Sequence, residues 1–167
     1  AIRIARAFSE RDCVAVCGYH GWHDWYLSAN LEQSNNLDQH LLPGLSTNGV
    51  PKSLRNIVHT FQYNDYEALK QLINKHPIGV IKMEVMRSIP PKDLFLNKVR
   101  KLCDEKGILL VFDECTSGFR ETFGGLHKKY SIEPDICIFG KALGNGYAIT
   151  AVIGKEEIMQ FAQETFI

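Results

Sequence analysis

No charge of one sign dominates this chain, no apolar run in it could span a bilayer, and its cysteines form no framework. Nineteen Lys and Arg residues offset nineteen Asp and Glu residues. No global field therefore draws the chain to nucleic acid or to an anionic membrane, and a charged ligand must be held by local groups. The longest apolar runs, such as Ile108 to Phe112, fall far short of the ~20 residues that a spanning helix needs. The N-terminus has no basic-then-apolar signal pattern, so a cytoplasmic location is the default expectation. Cys13, Cys17, Cys103, Cys115 and Cys137 make an odd set in mostly apolar surroundings and read as buried thiols. Cys13 and Cys17 precede His20 and His23 without the intervening loop that would wrap two ligand pairs around one zinc ion. A P-loop needs a glycine where Asp135 stands and a hydroxyl where Ala142 stands. The glycines from Gly140 to Gly146 do not space as G-x-G-x-x-G, and no G-x-S-x-G elbow occurs.

What the chain does have is ordinary: 167 residues, 45% hydrophobic and 23% charged, enough to bury a core. Ile2, Ile4, Ala5 and Phe8 share one face of a helix at the start. Cys13 to Cys17 reads as a short strand, with the cluster Tyr19-His20-Gly21-Trp22-His23-Asp24 at its carboxyl edge. From Ala29 to Ser53 an Asn-, Ser-, Gly- and Pro-containing excursion reads as a lid or interface loop. Ile57 to Phe61 reads as strand, Asn64 and Glu67 mark the start of a helix over Tyr66 to Lys75, and Ile78 to Val85 is strand again. Pro91 opens a helix with Leu94, Phe95, Val99, Leu102 and Cys103 on one face, which Gly107 ends. Strands follow at Ile108 to Phe112, Asp135 to Phe139 and Ala148 to Ile153, then a helix from Lys155 to Gln163. Alternating helices and strands, the strands apolar on both faces, predict an α/β fold with a mostly parallel central sheet and helices on both sides. Ligands of such sheets bind beyond the strands' carboxyl ends.

Three residues fall at those ends: Tyr19, Asp113 and Lys141. An acid leaving one strand and a lysine leaving another could grip two ends of one flat heteroaromatic ring, and pyridoxal 5'-phosphate (PLP) is a ring of that kind. A carboxylate against its pyridine nitrogen keeps that nitrogen protonated, and a lysine delivered by an apolar strand into a partly desolvated site could form a Schiff base with its aldehyde. Each residue also has a plainer reading. Asp113 could cap a helix or turn, Lys141 could be a surface lysine in a glycine turn, and Tyr19 could be core rather than stacked on the ring. Thr116 could meet the ring hydroxyl or satisfy a turn, and Glu114 could orient its neighbours or sit solvated. His20, His23 and Asp24 are a weaker alternative as metal ligands of a hydrolase.

Taken together, these residues resemble the class III PLP-dependent aminotransferases, especially the glutamate-1-semialdehyde aminomutase-like branch. The first helix looks like the one following that family's phosphate-binding turn. Tyr19-His20-Gly21 is similar to its aromatic-His-Gly motif, and Asp113-Glu114-Cys115-Thr116-Ser117-Gly118-Phe119-Arg120 to its Asp-Glu-x-x-Thr-Gly-Phe-Arg motif. Pro134-Asp135 followed by Gly140-Lys141 resembles the segment that carries the Schiff-base lysine. The chain departs at Val85, where the family has proline after the glutamate, at Ser117 for threonine, and at Gly144-Asn145-Gly146 for three glycines.

The resemblance implies a fold type I large domain and PLP as cofactor. It makes Lys141 and Asp113 catalytic, and Lys141, Asp113, Tyr19, His20, Gly21 and Thr116 cofactor-binding, with no metal. Its partners are a small-molecule amino donor and a carbonyl acceptor, with no nucleic acid and no membrane, in a homodimer whose active site lies at the interface. It implies amino-group transfer or the related intramolecular aminomutase reaction, or a non-catalytic member that keeps the fold. Ala1 in place of methionine, and a helical pattern running from Phe161 toward Ile167, suggest a partial large domain over 1–167. The phosphate turn and the C-terminal small domain are then expected outside it.

Overall fold

The fold is described by a computed structural model over residues 1–165. Phe166 and Ile167, the end of the expected helical pattern, lie outside the described residues. The chain runs α1 (Ile2–Ser9), β1 (Cys13–Cys17), α2 (Asp24–Leu27), β2 (Val58–Thr60), α3 (Tyr66–Lys75), β3 (Ile78–Met83), α4 (Phe95–Lys106), β4 (Leu109–Asp113), β5 (Ile136–Phe139), β6 (Ala151–Gly154), α5 (Glu156–Met159) and α6 (Phe161–Glu164). Six strands form one sheet in the order β2-β1-β3-β4-β5-β6. The first five are parallel, and β6 runs antiparallel against β5. Among the described residues no helix is long and apolar enough to cross a membrane.

Period-2 alternation sorts the strand side chains onto two covered faces. Ala15, Cys17, Ile81, Met83, Leu110, Phe112, Cys137 and Phe139 pack with Leu69 of α3 and with Phe95, Leu96, Val99 and Leu102 of α4. Val14, Val16, Val80, Leu109, Val111 and Ile136 pack on the other side with Ile2, Ile4 and Ala5 of α1, Tyr26 of α2 and Ile158 of α5. The parallel sheet with helices on both faces is therefore the one that the alternation predicts.

Three expectations are corrected. The cap of α3 is Asp65, whose Oδ1 accepts the Ala68 N–H at 2.9 Å. Asn64 instead adopts φ +68° and bridges to the Pro90–Lys92 segment. The helix after Pro91 begins only at Phe95, because Asp93 and Leu94 both take positive φ, and Leu94 is exposed rather than part of the apolar face. The last strand is β6, starting at Ala151 rather than Ala148, with Val152 and Ile153 exposed. The link from Phe139 to Ala151 contains no crossover helix, so β6 can only turn back along β5. All five cysteines are free, and Cys17, Cys103 and Cys137 are buried as expected.

Candidate active site

β4 delivers Asp113 to the carboxyl edge of the sheet, its side chain 13% exposed. Its Oδ2 accepts from Nζ of Lys82 at 3.0 Å and from Nδ1 of His20 at 3.1 Å, and its Oδ1 accepts the Cys115 N–H at 3.2 Å. Burial alone would raise the pKa of this carboxyl. The His20 hydrogen bond and the Lys82 charge outweigh that and hold it well below the ordinary carboxylate range. Asp113 is thus an ionised, oriented carboxylate that also caps the turn into Cys115, and it caps no helix. His20 is fully enclosed, and burial lowers its pKa against the opposing pull of Asp113. Its Nε2 lies 3.1 Å from the Cys17 carbonyl.

Tyr19 and His20 leave β1 between two glycines at φ +108° and +97°, Gly18 and Gly21, a backbone region open to glycine at little cost. A Cβ at Gly18 would also sit 2.9 Å from Oε2 of Glu84. Half-buried Tyr19 stands edge-on to the buried Tyr26, whose hydroxyl donates to the Gly18 carbonyl at 2.8 Å. The excursion from Ala29 to Ser53 contributes directly: His40, within it, accepts the Gly18 N–H on Nδ1 at 3.1 Å.

Lys141 follows β5, the strand beside β4, and Asp113 pairs in register with Ile138 three residues earlier. The lysine takes φ +46°, and its Nζ donates to Thr116 Oγ1 at 2.9 Å. It is exposed, so the partial desolvation expected from its apolar strand is not supplied by the described residues. The structure therefore joins His20 with Asp113 and Lys141 with Thr116, and places Tyr19 and Gly21 on the loop that carries His20. Cys115 lies between the two pairs, its thiol pushed up to about 11 by burial and then by Asp113, with Lys141 opposing.

The sequence reading missed three features. Lys82 sits inside an apolar strand with the parity of Val80, and the pairing of β3 with β4 puts it on the same face as Asp113. Glu84, buried just past β3, pairs bidentately with Arg87 at 2.7 and 2.6 Å. A cavity of about 270 Å³ lies beyond the ends of β1, β2 and β3, lined among others by Tyr19, His40, Tyr63, Glu84 and Arg87. Glu114 is fully buried and accepts from Ser117 Oγ (2.6 Å), Leu126 N (2.7 Å), His127 N (2.9 Å) and His127 Nδ1 (2.7 Å). It is an internal hub that orients its neighbours and is not solvated. His20, His23 and Asp24 do not form a ligand cluster. Among the described residues, the one such group is Glu114, His127 and Cys137, which already bond to one another.

The chain is similar to known proteins in sequence and in fold. The chain is 37% identical over its whole length to a protein named 3-aminobutyryl-CoA aminotransferase from Cloacimonas acidaminovorans, covering 38% of that protein. It is 39% identical over 96% of its length to a glutamate-1-semialdehyde 2,1-aminomutase from Nitratidesulfovibrio vulgaris, again covering 38%. Among solved structures, the FumI protein of Sphingopyxis sp. MTA144, in a PLP-bound form, superposes with a TM-score of 0.81 at 28% identity, over 98% of this chain and 38% of that one. The chain thus spans about two-fifths of the length of the curated relatives that it matches. The family model described as aminotransferase class-III matches residues 1–165, and the chain belongs to that family.

Proposed function

We propose that this chain is part of the large domain of a PLP-dependent enzyme that moves an amino group between a small-molecule amino donor and an aldehyde or ketone. The observation that carries the reading is the pairing of an ionised, nearly buried Asp113 at the end of β4 with Lys141 at the end of β5. These residues fit the cofactor. A flat cationic ring nitrogen needs a fixed carboxylate, and an aldehyde needs an amine that can be reached. When bound, PLP supplies an electron sink for the carbon next to the transferred nitrogen.

Asp113 faces the ring nitrogen, and His20 fixes that carboxylate from behind. Lys141 would hold the aldehyde carbon through Nζ, and the same Nζ, once released from that carbon, would take up and return a proton as base and acid. Thr116, which accepts from Lys141 Nζ, meets the ring hydroxyl in this reading. Tyr19 covers one ring face, and Gly21 allows the backbone to come close. The cavity beside Tyr19 receives the substrate, with the Glu84–Arg87 pair as its polar wall.

The phosphate turn and the small domain lie outside this chain in our reading. The whole protein acts in the cytoplasm as a homodimer with the site at its interface. Apolar side chains exposed in this chain, Phe123 at 92%, Tyr147 at 84% and Trp22 at 73%, are faces that the remainder of the protein or a second copy would cover. An intramolecular aminomutase reaction uses the same residues, and the relatives that carry that name favour keeping it as the second reading.

The whole protein mixed with PLP is expected to gain visible absorbance that is lost in Lys141→Ala. Absence of that absorbance in the wild type, or its persistence in the variant, sinks the proposal.

A further inference from the structure

Lys82 has no part in the reading above, yet it lies buried within a central strand of the sheet. Its strand is otherwise Ile78, Gly79, Val80, Ile81 and Met83, all buried, and Lys82 itself is 5% exposed. An ammonium there is tolerated only if it is partnered. It has two partners: Oδ2 of Asp113 at 3.0 Å and the face of Trp25, whose ring centroid lies 5.3 Å away. His20 Nδ1 reaches the same oxygen. Oδ2 is therefore filled from the protein side by two donors, whereas Oδ1 takes one backbone N–H at 3.2 Å and retains acceptor capacity.

We propose that Lys82 is a positioning residue for the ring nitrogen of PLP. Its ammonium pins Oδ2, presents Oδ1 to the ring and offsets the carboxylate's charge, so that the ring nitrogen holds its proton less tightly than Asp113 alone would make it. The inference rests on the PLP reading above.

The charge balance around Asp113 supports it. From the loop after β1 comes His20, whose pKa burial lowers against the pull of Asp113 and whose Nδ1 shares Oδ2 with Lys82. From the turn after β4 comes Cys115, a neutral thiol. Arg87, past the end of β3, is committed to Glu84. Lys141 points to Thr116. Among the described residues Lys82 is the lysine in direct contact with the carboxylate, and the pair presents a near-neutral dipole to the ring rather than a bare negative charge.

The test is to load the whole protein with PLP carrying ¹⁵N in its ring and follow that resonance against pH in the wild type, Lys82→Met and Lys82→Arg. In Lys82→Met the ring nitrogen is expected to keep its proton to higher pH by about one to two units. That is the size expected of one charge roughly 6 Å away at an effective dielectric of about 20. Lys82→Arg should track the wild type. In the unloaded protein, the infrared carboxylate band of Asp113 should titrate at higher pH in Lys82→Met than in the wild type.

A ring titration unchanged in Lys82→Met, or moved to lower pH, overturns the proposal. If Lys82→Met does not fold, Lys82→Gln carries the same prediction. A wild-type protein that takes up no PLP overturns the underlying reading and this inference with it. A normal wild-type signal that Lys82 substitutions leave untouched overturns this inference alone.

Discussion

Glu114→Gln replaces a fully buried carboxylate by its isosteric amide and puts its four donors in conflict. Oε2 receives Ser117 Oγ and Leu126 N, and Oε1 receives His127 N and His127 Nδ1. If the amide oxygen takes the Oε1 place, Ser117 can turn round to accept, but the Leu126 N–H faces an amide N–H. If it takes the Oε2 place, His127 can change tautomer, but its backbone N–H is stranded. Either way one buried N–H loses its partner, at about 1–3 kcal/mol. The surviving bonds also lose their charge assistance, which roughly halves them. The expected destabilisation is about 2–4 kcal/mol, read from urea unfolding of the whole protein at neutral pH.

The pH dependence has a definite sign. Burial would raise the Glu114 pKa, but the bonds from His127 and Ser117 hold it below its ordinary 4.5. Its contribution is therefore complete above that value and is lost as pH falls through the lower folded value. The gap between wild type and variant should narrow on acidification below about pH 4.5. A change under about 0.5 kcal/mol at neutral pH, or a gap that widens in acid, refutes the reasoning.

Asp113→Asn keeps the shape of the ring-nitrogen partner but removes its charge. The whole protein should still take up PLP while kcat falls by roughly 10²–10³-fold, as for loss of one preorganised electrostatic group; a loss under about tenfold counts against the assignment. Gly18→Ala meets both a backbone at φ +108° and Oε2 of Glu84 at 2.9 Å. It should cost about 1–3 kcal/mol in unfolding experiments. The double variant with Glu84→Ala should cost less than the sum of its parts, and strict additivity would show that the two residues do not meet.

The sheet was legible because burial on both faces leaves continuous apolar strands such as Leu109 to Phe112, and because Gly107 ends α4 in a left-handed cap at φ +59°. The edge was harder to read. Ala151 to Gly154 is as apolar as a central strand, yet it lies exposed and antiparallel, since neighbours and not composition decide which strand is central. Asn64 and Asp65 carry equivalent capping chemistry, and only the backbone shows which one caps α3. In the site, Asp113, Lys141, Tyr19 and His20 could be found from their places at strand ends. Lys82 was hidden inside a run taken as apolar, and its meaning emerges only when β3 and β4 are set side by side. Glu114 could not be assigned from sequence because its donors come from the loop up to twelve and thirteen residues later.

The central claim is that Lys141 is the residue that holds the cofactor. Borohydride reduction of the whole protein in the presence of PLP, followed by peptide mapping, tests it directly. A pyridoxyl label on Lys141 is the predicted result, and a label on Lys82, on another lysine or on none contradicts the account.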